Sequence, residues 1–150
     1  MIKKILLIIC LFFLVGCSKY KEKVITEYYI VIDNNDIKVN NLFDYVTYSL
    51  GRYEDYRVEN DNYIYRYDGI EIETYLDSNS EKILSFWLTS DKYKTNEGIR
   101  IGDTIKEAIY RYGDIYDYHN NIYTYKLNDS SLSFIEENGI INGIEYSLIR

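Results

Sequence analysis

Residues 102–113 read Gly-Asp-Thr-Ile-Lys-Glu-Ala-Ile-Tyr-Arg-Tyr-Gly. Ile105, Ala108, Ile109 and Tyr112 fall at i, i+3, i+4 and i+7, the stripe of a helix that buries one face. Thr104, followed three residues later by Glu107, reads as a capping box, and Gly113 as the helix stop. Gly102 stands alone ahead of the helix, without the second glycine and the lysine that cradle phosphate, so the stretch is scaffold rather than a nucleotide loop.

A fainter copy lies 62 residues upstream. Phe43, Val46, Thr47 and Leu50 form the same stripe and Gly51 the same stop, while Ile37 matches Ile99 and Tyr48 matches Tyr110. Three strands are expected after the first helix. Tyr63, Tyr65 and Tyr67 alternate, Asp68-Gly69 turns the chain, Ile70 and Ile72 alternate with Glu71 and Glu73, and Leu84, Phe86 and Leu88 alternate again. The same order follows the second helix through Tyr123 and Tyr125, then Leu132 and Phe134, then Ile144, Tyr146 and Leu148. Val24–Ile32 adds a strand that ends in the turn 33–36. The expectation is an α+β fold of two tandem helix-strand-strand-strand units, about 24–90 and 91–150, in a single globular domain over 24–150. They share an antiparallel sheet, with the helices packed on one face and the other face open.

Ahead of this domain, Lys3 and Lys4 precede an apolar run from Ile5 to Val15. At about 1.5 Å per residue that run reaches roughly 17 Å as a helix, well short of a roughly 30 Å hydrocarbon core. Basic start, short apolar centre and small-residue end make a secretory signal peptide over 1–16. Its end, Leu14-Val15-Gly16-Cys17, resembles the lipobox of bacterial lipoproteins. The resemblance implies cleavage before Cys17 and a diacylglycerol on its sulfur. Residues 17–23 would then be a lipidated tether, and the protein would sit in the cell envelope, on the outer face of the cytoplasmic membrane or on the outer membrane. Two acyl chains would hold it there firmly.

Without 1–16 the chain keeps 15 of its 17 basic residues against 24 acidic ones, a formal charge of −9. Such a surface repels phosphate backbones, so nucleic acid is not an expected partner. Catalytic groups are sparse. His119 is the single histidine, in the polar stretch 114–121, and no Gly-x-Ser-x-Gly elbow occurs. Asp117 and His119 do not make a four-ligand metal site, and the acidic turn at 33–36 lacks the glycine and glutamate of a calcium loop. No metal, cofactor or enzymatic activity is therefore expected. Glu71, Glu73, Glu136 and Glu137 supply the carboxylates a glycosidase needs, but alternation turns Glu71 and Glu73 away from the apolar face.

Nineteen tyrosines are the compositional oddity. The row Tyr63, Tyr65, Tyr67 is a candidate binding face, and Trp87, alternating against Phe86 and Leu88, is a candidate anchor on it. Strand propensity and core filling explain the tyrosine row equally well. Gly102-Asp103-Thr104 with Glu107, Ala108 and Gly113 resembles the helix-opening motif of small outer-membrane assembly lipoproteins of the SmpA/BamE type, and the repeats of β-lactamase inhibitor proteins. The proline that usually follows the closing glycine is Asp114 here, and the disulfides of the inhibitor family are absent. The expected function is a non-enzymatic, lipid-anchored envelope module that binds a protein through an open sheet face. An inhibitor or immunity-like protein and a glycan binder or glycan-active hydrolase stand as alternatives.

Overall fold

A computed structural model describes residues 24–150; the leader, Cys17 and the tether through residue 23 lie outside the described residues. The expected α+β fold of helix-strand-strand-strand units is not what forms. The described residues are mostly β, with ten strands and two eight-residue helices among them. The first hairpin pairs β1 (Ile30–Ile32) with β2 (Asn35–Ile37) across Asp33 and Asn34, both at positive φ. The strand expected over 24–32 shrinks to its last three residues, since 24–29 make no ladder.

Helix α1 (Phe43–Leu50) leads into β3 (Asp55–Glu59), β4 (Asn62–Tyr67), β5 (Ile70–Asp77) and β6 (Ser80–Leu88). Helix α2 (Ile105–Tyr112) leads into β7 (Asp117–His119), β8 (Ile122–Leu127), β9 (Ser130–Glu137) and β10 (Ile140–Leu148). The eight later strands form one antiparallel sheet in the order β3-β4-β5-β6-β10-β9-β8-β7, so two four-stranded meanders meet at β6 and β10. The strands that the sequence did not announce are β2, which takes up the second half of the expected turn 33–36, and β3 and β7, one at each edge of the large sheet. Both edge strands are exposed at every residue. An edge strand with two wet faces carries no alternation to read, and its charged residues discourage pairing with another chain.

Two-residue turns set the register. Asn60-Asp61 and Asn120-Asn121 have positive φ at both positions, the backbone that matches strand twist, and Asn and Asp reach it more easily than most residues. The 62-residue offset of the helices becomes 60 across β4–β6 and β8–β10, because two fewer residues separate Gly113 from its turn. With that offset, the cross-strand pair Phe86 and Tyr146 relates to itself. Their rings stack at 4.4 Å and 15°, on the pseudo-twofold axis through the sheet.

The pleat assigns the faces. Tyr65, Ile72, Phe86, Tyr146, Leu132 and Tyr125 are successive cross-strand partners, and so are Tyr67, Ile70, Leu88, Ile144, Phe134 and Tyr123. These two rows form the floor of the core. Phe43 and Val46 of α1, Ile105 and Ala108 of α2, and Ile30, Ile37 and Val39 of the hairpin region lie buried with them. Leu50, Ile109 and Tyr112 pack against the same cluster, so most of the expected helix stripes face the core.

The helices are fixed to the sheet by matching bonds. Asn40 donates to Ile83 O and Ile83 to Asn41 O at 2.8 and 2.9 Å; Gly102 donates to Ile141 O and Ile141 to Asp103 O at the same distances. Gly51 and Gly113, both at positive φ, donate back to Thr47 O and Ile109 O. Thr104 Oγ1 accepts from the Glu107 amide at 3.2 Å, but the Glu107 carboxylate turns to Arg111, so only half of the expected capping box forms. At α1 the N-cap is Leu42, which has no side chain able to cap.

Candidate binding face

The pleat turns the intervening residues to the opposite face. Arg66, Glu71, Trp87, Glu145, Ser133 and Thr124 are successive partners across β4, β5, β6, β10, β9 and β8. The next row runs through Ile64, Glu73, Ser85, Ser147, Ser131 and Lys126. No helix packs there among the described residues. The candidate residues of the sequence reading therefore separate. Tyr63, Tyr65 and Tyr67 belong to the covered face, and Trp87 stands alone on the open one.

Packing accounts for the tyrosine row. Tyr65 stacks on Phe43 at 4.4 Å, lies 5.1 Å from Tyr53 and 6.2 Å from Tyr63, and donates to Glu81 at 3.0 Å. Tyr67 is 4% exposed and its hydroxyl has no hydrogen-bond partner among the described residues; loss of solvent pushes it up to about 12. In the second half Tyr112, Tyr116, Tyr123 and Tyr125 pack with Phe134, and burial raises Tyr112 and Tyr125 above the ordinary phenol range. Tyr146, fully buried, is also raised well above that range for the same reason. Much of the tyrosine content is thus a floor of rings with hydroxyls at its edges.

The open face is polar and mostly self-paired. Arg57 reaches across Ile64 to hold Glu71 at 2.8 and 3.0 Å, with Glu59 at 2.7 Å. That bridge shields Ile64, which is buried yet lies apart from the core cluster. The Arg57 hydrogen bonds pull the Glu71 carboxyl below the usual range, the opposite of what a general acid at neutral pH needs. Glu73 accepts from Asn62 and Ser85, both at 2.8 Å, and Glu145 accepts from Ser147 at 2.7 Å. Neither Glu73 nor Glu145 has a basic partner among the described residues.

The half-buried Trp87 therefore sits between one carboxylate that Arg57 neutralises and one that keeps its charge. Two details put it there. Register counted from the Asp77–Ser80 end of the hairpin would place Glu71 opposite Phe86; the bulge at Glu73/Thr74 shifts the ladder by one and brings Glu71 opposite Trp87. Pairing of β6 with β10 then supplies Glu145 from the other half of the chain. The bulge left no mark in the sequence, and Glu145 follows only from the long-range pairing. The remaining candidates lie elsewhere. Glu136 accepts from the Gly139 amide, Glu137 from Asn142 at 3.3 Å, and His119 in edge strand β7 contacts Asn120 at 2.9 Å. Among the described residues no three His, Cys, Asp or Glu side chains gather to hold a metal ion.

The sequence matches no family model and no curated protein. In fold it is similar to an extracellular protein containing an SCP domain from Bacillus anthracis, with a TM-score of 0.51 and 9% identity. The likeness covers 85% of this chain and 49% of the other, so the chain spans about half the length of that protein, and what they share is the fold. No helix among the described residues is long and apolar enough to cross a membrane.

Proposed function

We propose that the chain is a lipid-anchored binding module of the bacterial cell envelope that engages a protein partner through the open sheet face around Trp87. The observation that carries this reading is the row Glu71, Trp87, Glu145 on a face that no helix or loop among the described residues covers. A rigid strand presents the tryptophan, and indole is a frequent anchor of interfaces. The uncompensated Glu145 and Glu73 favour a partner with a basic group beside an apolar slot. The lipobox at 14–17 supports an envelope address, and the fold neighbour is itself an extracellular protein.

Chemical crosslinking in intact envelopes, followed by capture of the tagged chain, tests the reading with Trp87→Ala and Glu145→Gln beside the unaltered protein. The expected result is a partner band that Trp87→Ala abolishes and Glu145→Gln weakens in a salt-dependent way. Equal capture by all three chains would contradict it. Indole beside the carboxylates of Glu71 and Glu145 is also a combination that holds sugars; binding of peptidoglycan fragments lost in Trp87→Ala would replace the protein partner with a glycan.

A further inference from the structure

Where the described chain begins, the surface changes character. Val24 and Ile25, the end of α2 from Tyr110 to Gly113, Ile115, and Tyr125–Leu127 of β8 wall an open groove of about 650 Å³. Val24, Tyr110 and Ile115 are 79%, 71% and 90% exposed, a concentration of large apolar side chains at one place. The other half of the molecule repeats only part of it: Tyr48, which corresponds to Tyr110, is exposed as well, but Ile115 has no exposed apolar counterpart of its extent. By the 62-residue offset Ile115 corresponds to Tyr53, which packs among Tyr56, Tyr65 and Tyr67. In the half nearest the start of the chain, Tyr116 takes over that packing and Ile115 points outward.

We propose that this groove rests on the lipid bilayer, so that the opposite sheet face, with Trp87, points away from the membrane. The proposal builds on the lipid-anchor reading, and three observations carry it further. Cys17 and Val24 are seven residues apart. At about 3.3–3.6 Å per residue the tether spans at most about 25 Å, so the groove stays close to the lipid whatever the rest of the domain does. The tether carries Lys19, Lys21 and Lys23 against Glu22, and basic residues beside a membrane are drawn to anionic headgroups within a Debye length of about 8–10 Å. On the open face Arg57, Arg66 and Lys126 are each paired with an acid while Glu73 and Glu145 have no basic partner among the described residues, so anionic headgroups are not drawn to it. Tyrosine and aliphatic side chains at a membrane surface suit the boundary between headgroup and acyl chain.

The sole tryptophan makes the orientation measurable. The full lipidated chain is reconstituted in phosphatidylglycerol–phosphatidylcholine vesicles with or without brominated acyl chains, which quench indole on contact. Unaltered protein reports from Trp87; the double variants Trp87→Phe/Ile115→Trp and Trp87→Phe/Tyr110→Trp report from the groove. Both replaced side chains are exposed, so the fold is expected to persist, and circular dichroism checks it. The expected result is at least a twofold loss of emission from both groove reporters in brominated vesicles, and no change for Trp87. Quenching of Trp87, or of no reporter, overturns the proposal. Groove reporters that stay bright in brominated vesicles, but shift in emission as protein density on the vesicle rises, overturn it in favour of a second copy. Flotation of the full chain, lost in Cys17→Ala, tests the anchor separately: a chain that floats with a bright groove defeats the orientation and leaves the anchor standing, whereas a chain that does not float defeats both.

Discussion

Phe86 and Trp87 are neighbours in one strand and belong to different parts of the molecule. Phe86 is fully buried on the helix side, stacked on Tyr146 where the two halves meet, with the hairpin and both helices closing over the same floor. Trp87 is half-buried on the other side, between two carboxylates, with no element among the described residues packed over it. One face of the sheet is filled by apolar and tyrosine rings, and the hydroxyls of Tyr65, Tyr125 and Tyr146 reach a carboxylate or a carbonyl at the rim while that of Tyr67 is buried. The other is laced by Arg57, Glu71, Glu73 and serines, with Trp87 at its middle and Tyr75, under Arg150, towards one end. The difference teaches that abundance alone does not mark a site: many of the tyrosines make the scaffold, and the single tryptophan stands on the open face.

The largest break in that contrast comes from truncating the neighbours separately. Phe86→Ala should cost about 3–5 kcal/mol, since it leaves a cavity under the stacked pair at the centre of the core. Trp87→Ala should cost about 1 kcal/mol or less, the scale of a cross-strand pair on a wet face, while abolishing partner capture. Urea unfolding of the two variants checks the first statement; a Trp87→Ala protein as unstable as Phe86→Ala would erase the distinction between the faces.

Alkali attacks the covered face selectively. Burial raises Tyr65, Tyr67, Tyr112, Tyr125 and Tyr146 in the folded state, Tyr67 to about 12. A group raised on folding adds stability that is complete below its unfolded value, near 10 for tyrosine, and lost as pH climbs through the folded value. Stability should therefore fall from about pH 10 to beyond 12, with late phenolate absorbance appearing together with loss of strand signal in circular dichroism. On the open face the sign reverses, because Glu71 is lowered on folding. Its contribution is present above the ordinary carboxyl value and lost as pH falls through the folded one. Glu71→Gln should thus flatten the acid limb of stability and leave the alkaline limb unchanged.

The smallest effects separate the two helices. Thr104→Ala removes the side-chain cap of α2 and should cost about 1 kcal/mol. Leu42→Ala at the matching N-cap of α1 removes no cap and should cost less. Thermal melts of the two variants test this, and neither should change partner capture.

What could be read from the sequence followed burial. The stripes Phe43–Leu50 and Ile105–Tyr112, the two glycine stops and the alternation in β4–β6 and β8–β10 were legible because each has one apolar side and one wet side. The edge strands were not, since Asp55–Glu59 and Asp117–His119 are wet on both faces, and missing them turned a mostly β protein into an α+β one. The face of the tyrosine row was also obscure. Alternation shows that Tyr63, Tyr65 and Tyr67 share a side, but tyrosine suits either side, and only Phe43 resting on Tyr65 assigns it. Trp87 was legible as pointing opposite Phe86. Its carboxylate neighbours depended on a bulge and on a strand contributed from 60 residues away.

A photoreactive amino acid placed in living cells, in turn, at Trp87 and Ser133 on the open face and at Tyr48 on the exposed side of α1 puts the central claim to its most direct test. The account predicts ultraviolet-dependent adducts with one protein of constant mass from the two open-face positions and none from Tyr48. Adducts from Tyr48 alone would place the binding surface on the helix side and contradict it.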